Sequence, residues 1–483
     1  MIQIIENSIL FSVAIAVILN ALPHKTFNKY ALWAAYLAVT MSFLDILVGN
    51  FRWQMILAYL FSFLMILLPR FRKPNNEKTR WFHKLLFSGY VLLTLLITFI
   101  AIVLPKAFIM FDLPEPSGKH QVGIQDIHMI DENRPELETK DQNDHRELML
   151  RVWYPATVED GASPEPFVRE IEPAHQIFSR WVALPAFTLS HLKQIESHSF
   201  LNASIADTKE NFPLLVFNHG NSFYASQNSI LMEELASHGY IVIAIDYPHH
   251  ASYVKFPNGK VTNYKSGIPM DFSAEELAKF RKKAENDARA LLHGPYEDYY
   301  AGMKSGIEGS VDMNDRVEVW IKDIAFVLDE LNNKNGKLRS ISASLDQDKI
   351  GVFGMSLGGA AAGKFCLEDA RCKAILNMDG TQFGHGAMQY EFEKPFLMMN
   401  SDVRYQNAGM IGETIATNTV QKYEMNDFLL KQSKSISYNM VVDKTTHGSY
   451  SDFLIMTADL GNWTGLLGTI DLCLLYTSDA ADD

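Results

Sequence analysis

Apolar residues are not spread evenly along this chain. Four long apolar runs fill the first 110 residues, at about 3–22, 30–49, 53–69 and 85–104. Each approaches the roughly 20 residues with which a helix crosses a hydrocarbon core, the third being short. Beyond them the apolar runs become brief. Residues 111–147, rich in Pro, Gly and charge, read as a linker leading into a first hairpin. LMLRVWYP then alternates as a strand that stops at Pro155. PLLVFNHG predicts a buried strand ending in a tight turn, and SILMEELASHG a helix closed by Gly239. YIVIAIDYP is the continuous β-branched run of a strand covered on both faces. The polar stretch at about 249–315 reads as a cap or insertion, and 316–332 as an amphipathic helix. The strands DKIGVFG, CKAILNMDG, PFLMMNSD and MVVDKTTHG follow, with the helix LGGAAAGKFCLED after the first. This alternation predicts, over 148–470, an α/β fold with a mostly parallel central sheet and helices on both faces, preceded by a four-helix transmembrane region.

Charge sharpens the division. Of 43 Lys+Arg and 56 Asp+Glu, residues 1–110 hold ten basic and three acidic (Glu6, Asp45, Glu77), a balance of +7; the rest carries −20. Six of the ten basic residues fall between Arg70 and Lys84, with Lys25 and Lys29 in the first loop and only Arg52 in the second. Positive loops stay cytoplasmic, so both ends of the head and the acidic body are expected on the extracytoplasmic side. No small-x-small cleavage site precedes the second run, which argues against a removable signal peptide. Asp45, inside the second run, is a functional candidate by position; near the run's outer end it could also reach the interface. A body this acidic excludes a nucleic-acid partner, since such binding neutralises phosphates. Three cysteines (Cys366, Cys372, Cys473) are too few for a disulfide framework, and Cys366 and Cys372 read as buried small hydrophobes. No Cys/His cluster suggests zinc, and the adjacent His249 and His250 point in different directions, so no metal or organic cofactor is expected.

The chemistry lies in Gly354-Met355-Ser356-Leu357-Gly358, between an apolar strand and a small-residue helix. That is the context of a nucleophile elbow, whose sharp turn exposes the serine and whose glycines avoid a clash of Cβ atoms. An elbow serine needs a histidine base and an orienting carboxylate later in the chain. Two histidines follow Ser356: His447, just past the last predicted strand, suits the base better than His385 in its Gly-rich loop. Two acids end strands, Asp379 and Asp402, and position alone leaves both open. The oxyanion hole is expected from the amides of Leu357, after the nucleophile, and Asn221, after His219-Gly220; His219 reads as a structural residue holding that loop.

Together LRVWYP, FPLLVFNHGNSF, LASHGYIVIAIDYPHHAS, DKIGVFGMSLGGAA, AILNMDG and HGSYSDF resemble, over roughly 120–460, the plasma-type (group VII) platelet-activating-factor acetylhydrolases and their bacterial relatives. The resemblance implies an α/β-hydrolase fold and a calcium-independent serine esterase for short or oxidised acyl chains, including those at the sn-2 position of phospholipids. It also implies the acid 23 residues past the nucleophile, which is Asp379 here. Cutinase-like polyester hydrolases, similar at the elbow, use the later acid. The head and the 249–315 segment depart from the family's animal members. The last residues, CLLYTSDAADD, resemble translated vector sequence, so 471–483 are expected to be non-native and the body truncated. The reading is a membrane-anchored esterase with lipid or other ester substrates, an integral membrane association and no obligatory protein partner. The alternatives are a polyester esterase, thioesterase or peptidase on the same scaffold, or a non-catalytic membrane sensor.

Overall fold

The computed structural model describes residues 2–21, 25–49, 51–67, 77–108, 110–141, 143–181, 185–265, 274–333, 335–413 and 424–456. The expected non-native tail with Cys473, and residues 70–76 of the basic loop, lie outside them. The chain forms two compact units, Met1–Asp112 with Pro185–Ile195, and Leu113–Leu184 with Glu196–Asp483. The short 185–195 segment, which the sequence reading leaves with the body, belongs to the first unit.

The first unit has α-helices Ile2–Ala21, Lys25–Leu47, Ile56–Leu67 and Glu77–Ala107. Among the described residues one, Lys29–Leu47, is long and apolar enough to cross a membrane; Ile4–Asn20, Trp53–Ile66 and Leu92–Lys106 are shorter apolar stretches. This corrects the expectation of four spans. The third run opens with a 3-10 turn, Trp53–Met55, and the fourth helix begins with the polar EKTRWFHK, so neither offers a full apolar length. Small residues share the interior with larger ones: Ala16, Ala35, Ala38, Ala58 and Ala101 are enclosed beside Ile9, Val13, Met55 and Phe61. Polar groups are enclosed with them. Arg52 Nε and Nη2 each donate to a Glu6 carboxylate oxygen at 2.5 Å. Asp45 is wholly buried and accepts from the Tyr59 hydroxyl at 2.5 Å, rather than reaching an interface. Gln54 and Trp53 donate to the Thr188 carbonyl of the 185–195 segment at 3.3 and 3.2 Å.

The second unit is built on a sheet. Its strands are β1 Gln121–Pro135, β2 His145–Thr157, β3 Ser199–Leu201, β4 Ser204–Ile205, β5 Phe212–Asn218 and β6 Ile241–Asp246. After these come β7 Tyr253–Lys255, β8 Val261–Asn263, β9 Leu345–Met355, β10 Cys372–Met378, β11 Phe396–Ser401 and β12 Ser437–Val442. Among the described residues the spatial order is β12-β11-β10-β9-β5-β6-β2-β1-β3, with β4 on β2 and β7-β8 a separate hairpin. The run from β12 to β6 is parallel, while β2 is antiparallel to both β6 and β1. The α/β architecture with a mostly parallel sheet is thus as the alternation predicted.

Both sheet faces are covered. Leu214, Val216, Ile241, Ile243 and Ile245 join a core with Trp320, Ile324 and Phe365, while Phe217, Val242 and Ala244 face Met232 and Ala236 of the helix Ser229–Ser237. A period of two with both phases apolar is why YIVIAIDYP reads as unbroken. Three details differ from expectation. β2 runs past Pro155 to Thr157, because pairing with β6 ends at Trp153 and the ladder on that side has stopped. The amphipathic helix starts earlier, at Val311, and 249–315 holds the β7-β8 hairpin and helices Ala274–His293 and Tyr296–Gly309. Cys366 and Cys372 form a disulfide, their Cα atoms 5.2 Å apart where the helix Leu357–Glu368 turns back into β10. The reading of both as small hydrophobes is corrected: both are buried, but paired.

Candidate active site

β5 runs into the Ser229–Ser237 helix and β6 on one side, while β9, β10, β11 and β12 step away on the other. Adjacent parallel strands whose connections leave in opposite directions open a crevice at their carboxyl ends. There β5 delivers His219-Gly220-Asn221, β9 delivers Ser356 and β10 delivers Asp379, and the loop after β12 brings in His447.

Ser356 has φ 56° and ψ −125°, a conformation that non-glycine residues rarely adopt and that costs energy. Its N–H donates to the Met378 carbonyl at 2.8 Å, fastening the turn to β10. The turn needs its glycines. A Cβ on Gly354 would lie 2.3 Å from the Gly358 carbonyl carbon, and one on Gly358 would lie 2.0 Å from the Asn218 oxygen. From this turn the Ser356 hydroxyl lies 3.0 Å from His447 Nε2. His447 Nδ1 lies 2.6 Å from Asp379 Oδ2. Asp379 is 1% exposed and also accepts from the Ser401 N–H at 2.6 Å and the Ser401 hydroxyl at 2.9 Å. Its own φ is 55°, so two of the three residues hold backbone conformations that favour glycine. His447 opens the short turn His447–Tyr450, which is pinned where the Tyr450 hydroxyl donates to the Asn400 carbonyl at 2.8 Å and Asn228 donates to the Tyr450 carbonyl at 2.9 Å.

The competing residues lie in other surroundings. Asp402 caps the helix Val403–Ile411, accepting from the Tyr405 N–H at 3.1 Å, from Arg404 Nε at 3.2 Å and from the Lys444 N–H at 3.3 Å. His385 is exposed and pairs with Asp315 at 2.8 Å.

Leu357 heads the helix Leu357–Glu368, where the first N–H groups lack intrahelical partners. Among the described residues neither the Leu357 nor the Asn221 N–H donates to a protein acceptor. The Asn221 loop is tightly held: the Gly220 N–H donates to Gln227 Oε1 at 2.8 Å, Ser222 N–H to the His250 carbonyl at 2.9 Å, and Ser252 N–H to the Phe223 carbonyl at 2.7 Å. His219 is enclosed behind it, Nδ1 donating to the Gly220 carbonyl at 2.7 Å and Nε2 accepting from the Tyr247 N–H at 3.4 Å. Burial pushes its imidazole down to about 3, so it stays neutral. His249 and His250 turn to different neighbours, the second accepting from Trp320 Nε1 at 2.8 Å. Among the described residues no three His, Cys, Asp or Glu side chains stand close enough to share a metal.

Residues 107–473 match the family described as platelet-activating factor acetylhydrolase, isoform II. The chain belongs to that family. It is accordingly a carboxylic ester hydrolase by membership. A platelet-activating factor acetylhydrolase of Cavia porcellus is 23% identical over 372 residues, covering 74% of this chain and 73% of its own length. A probable 1-alkyl-2-acetylglycerophosphocholine esterase of Arthroderma benhamiae is 23% identical over 317 residues, covering 62% of this chain and 66% of its own. Among solved structures, a ferulic acid esterase from Streptomyces cinnamoneus superposes with a TM-score of 0.53 at 22% identity, over 77% of this chain and 91% of that one, a likeness of fold. The match spans the elbow, both candidate acids and His447, and leaves residues 1–106 outside the family.

Three side chains that support the site were not foreseen. Ser401 closes the strand Phe396–Ser401 beside Asp402 and carries no motif of its own. Gln227 and Arg316 gave no local signal, because their partners Gly220 and Asn221 come from other segments.

Proposed function

We propose that this family member is a membrane-anchored serine esterase acting through an acyl-enzyme. Ser356 is the nucleophile, His447 the general base and Asp379 the group that orients and charge-stabilises the imidazole. The observation that carries the reading is the continuous hydrogen-bond relay Asp379–His447–Ser356, at 2.6 and 3.0 Å, on a strained elbow. His447 Nε2 takes the hydroxyl proton as Ser356 Oγ bonds to the acyl carbon. The carbonyl oxygen, now an anion, accepts from the Leu357 and Asn221 amides. The alcohol leaves with the proton from His447, and a water activated by the same imidazole releases the acid and restores Ser356. No metal or cofactor has a step in this sequence.

The substrate class we assign is short or oxidised acyl esters, including sn-2 acyl groups of phospholipids, in keeping with the names of the relatives. The head is assigned as a membrane anchor with Lys29–Leu47 as its span. Large apolar side chains such as Phe11, Trp33, Phe43, Leu92 and Phe99 face outward there, an apolar surface far more extensive than water-facing units carry. The body is assigned to the extracytoplasmic side, where a disulfide such as Cys366–Cys372 persists.

A fluorophosphonate probe should label Ser356 in the folded chain and lose its target in Ser356→Ala. Turnover of p-nitrophenyl esters should fall with acyl length, with peptide amides uncleaved. A folded chain that resists the probe sinks the esterase reading, and peptide cleavage without ester cleavage sinks the substrate class. Proteolysis of intact cells should remove the body; a body protected until the membrane is breached reverses the topology.

A further inference from the structure

The helices Ile2–Ala21 and Glu77–Ala107 flank a groove of about 610 Å³ on the first unit. Small-molecule sites measure about 300–1,000 Å³, so the groove has the room for a ligand. Its two ends differ. Arg52 fixes one of them, donating through Nε to Glu6 at 2.5 Å and through Nη1 to the Phe108 carbonyl, so the start of the first helix lies beside the end of the fourth. At this end the groove is lined by Asn7, Ser8 and Lys106. Further in, Phe11, Ala14 and Ile102 line it with carbon alone. Spacings of three and four residues put Asn7, Phe11 and Ala14 on one face of their helix, and Ile102 and Lys106 on one face of theirs.

The polar end carries an uncompensated charge. The Glu6 carboxylate is buried and engaged by Arg52, and no carboxylate lines the groove. Among the described residues nothing accepts from the exposed Lys106 ammonium or bonds the exposed Asn7 amide. Ser8 donates to the Ile4 carbonyl at 2.7 Å, which leaves its oxygen as an acceptor. A cation, an amide donor and an acceptor together suit a phosphodiester that carries a hydroxylated headgroup. The inner part, where the small Ala14 leaves room, suits an acyl chain. We propose that the groove binds an anionic phospholipid, its phosphate on Lys106 and Asn7 and one acyl chain along Phe11, Ala14 and Ile102. The inference rests on the anchor reading of the head and not on the esterase reading: the lipid is a resident of the anchor rather than a substrate.

Lipid tails are as apolar as the helices they meet, so tails alone give no preference among lipids. The preference must come from the charged end, where one basic residue near a membrane surface favours an anionic lipid by about fivefold. The test titrates the full-length chain in detergent micelles with phosphatidylglycerol or phosphatidylcholine of identical chains, and counts bound lipid by native mass spectrometry. The parent should hold one phosphatidylglycerol about fivefold more tightly than phosphatidylcholine. K106Q should abolish that preference and leave phosphatidylcholine binding within about twofold, while K106R should keep it. A14F, which fills the groove and keeps the charge, should lose most of the bound lipid of either kind. Hydrolysis of p-nitrophenyl acetate should be the same in all three variants, and Tm in detergent shows that each is folded. Equal binding of the two lipids by the parent, or a preference that survives K106Q, overturns the proposal, as does undiminished lipid on a folded A14F. If A14F does not fold, K106Q decides alone. Displacement by glycerol 3-phosphate at the concentration at which lipid binds would make this a site for a free anion and overturn the lipid assignment. A dimer that retains no lipid gives the groove to a second copy and overturns it equally. A chain extracted from membranes by alkaline carbonate brings down the anchor reading first; one that stays embedded yet shows no preference brings down this inference alone.

Discussion

In the unit Met1–Asp112 the small Ala16, Ala35, Ala38, Ala58 and Ala101, with Ser12, Ser42 and Thr98, are enclosed beside Ile9, Val13, Met55 and Phe61, while Phe11, Trp33 and Leu92 face out at 69, 64 and 68% exposure. The catalytic unit encloses its largest rings, among them Trp153, Trp320, Tyr247 and Phe217. Water drives large apolar groups together, so a unit that folds in it hides its largest side chains. Lipid offers no such drive, and helices there associate through small residues that let backbones approach and through polar pairs such as Glu6–Arg52. The contrast supports reading the two units as built for different solvents. The hydrogen-bonded Ser356, His447 and Asp379 lie wholly in the second unit.

The largest expected effect belongs to that second unit alone. Asp379→Asn should lower kcat by about 10⁴-fold, because the amide holds the wrong imidazole tautomer and cannot balance its charge. Asp402→Asn should change kcat little and cost at most about 1 kcal/mol of stability as a weakened helix cap. Turnover per labelled site and a urea titration separate the two. A greater loss of turnover at Asp402 would transfer the acid's role to it.

Next come substitutions that treat the two interiors alike. Trp320 stacks on Tyr247 with ring centres 4.1 Å apart, beneath His219. Trp320→Ala should cost about 3–5 kcal/mol by leaving a cavity. In the head the damaging change is the opposite one: Ala38→Leu, which overfills a helix interface, should cost about 1–3 kcal/mol. Phe43→Ala on the outer face should stay within about 0.5 kcal/mol in detergent. Thermal unfolding in detergent reads all three, and a Phe43→Ala loss as large as that of Trp320→Ala would break the comparison.

What could be read in the sequence follows the same division by range. Periodicity within a few residues was enough for β6, β9 and the elbow, since a strand apolar in both phases and a glycine-flanked serine are local signals. It was enough to find four apolar helices, but not to see that Trp53–Met55 shortens the third. Contacts closed by the fold were not legible. The spacing of Cys366 and Cys372 does not reveal the reversal that brings them together, and the choice between the two strand-end acids needed a family resemblance. Ser401, Gln227 and Arg316 support the site from segments with no motif of their own.

The disulfide tests the division again, because the first unit contains no cysteine. Closing a loop of sequence separation 6 should stabilise the body by about 2 kcal/mol. Reduction, or a Cys366→Ala/Cys372→Ala pair, should therefore lower the body's unfolding midpoint and leave the head's helical signal in detergent unchanged. A chain whose two cysteines react freely with a thiol reagent before reduction would remove both the bond and its support for an oxidising compartment.

A smaller effect distinguishes how the units bury polar groups. The head pairs Glu6 with Arg52, whereas the body encloses His219 as a neutral imidazole pushed down to about 3. Its ordinary value in an unfolded chain is about 6.5, so between those limits the unfolded state binds a proton that the native state refuses. Stability is thus fully present above about pH 6.5 and declines as pH falls, by about 2 kcal/mol from this group between pH 7 and 5. His219→Gln should be less stable than the parent at pH 7, having lost a ring packed on Tyr247 and Trp320. It should also lose about 2 kcal/mol less than the parent over the same interval, since glutamine does not titrate. Urea titrations at pH 7 and 5 decide it: equal losses in both chains would mean that the imidazole takes up its proton inside the fold, and that the support beneath the Asn221 loop is charged rather than neutral.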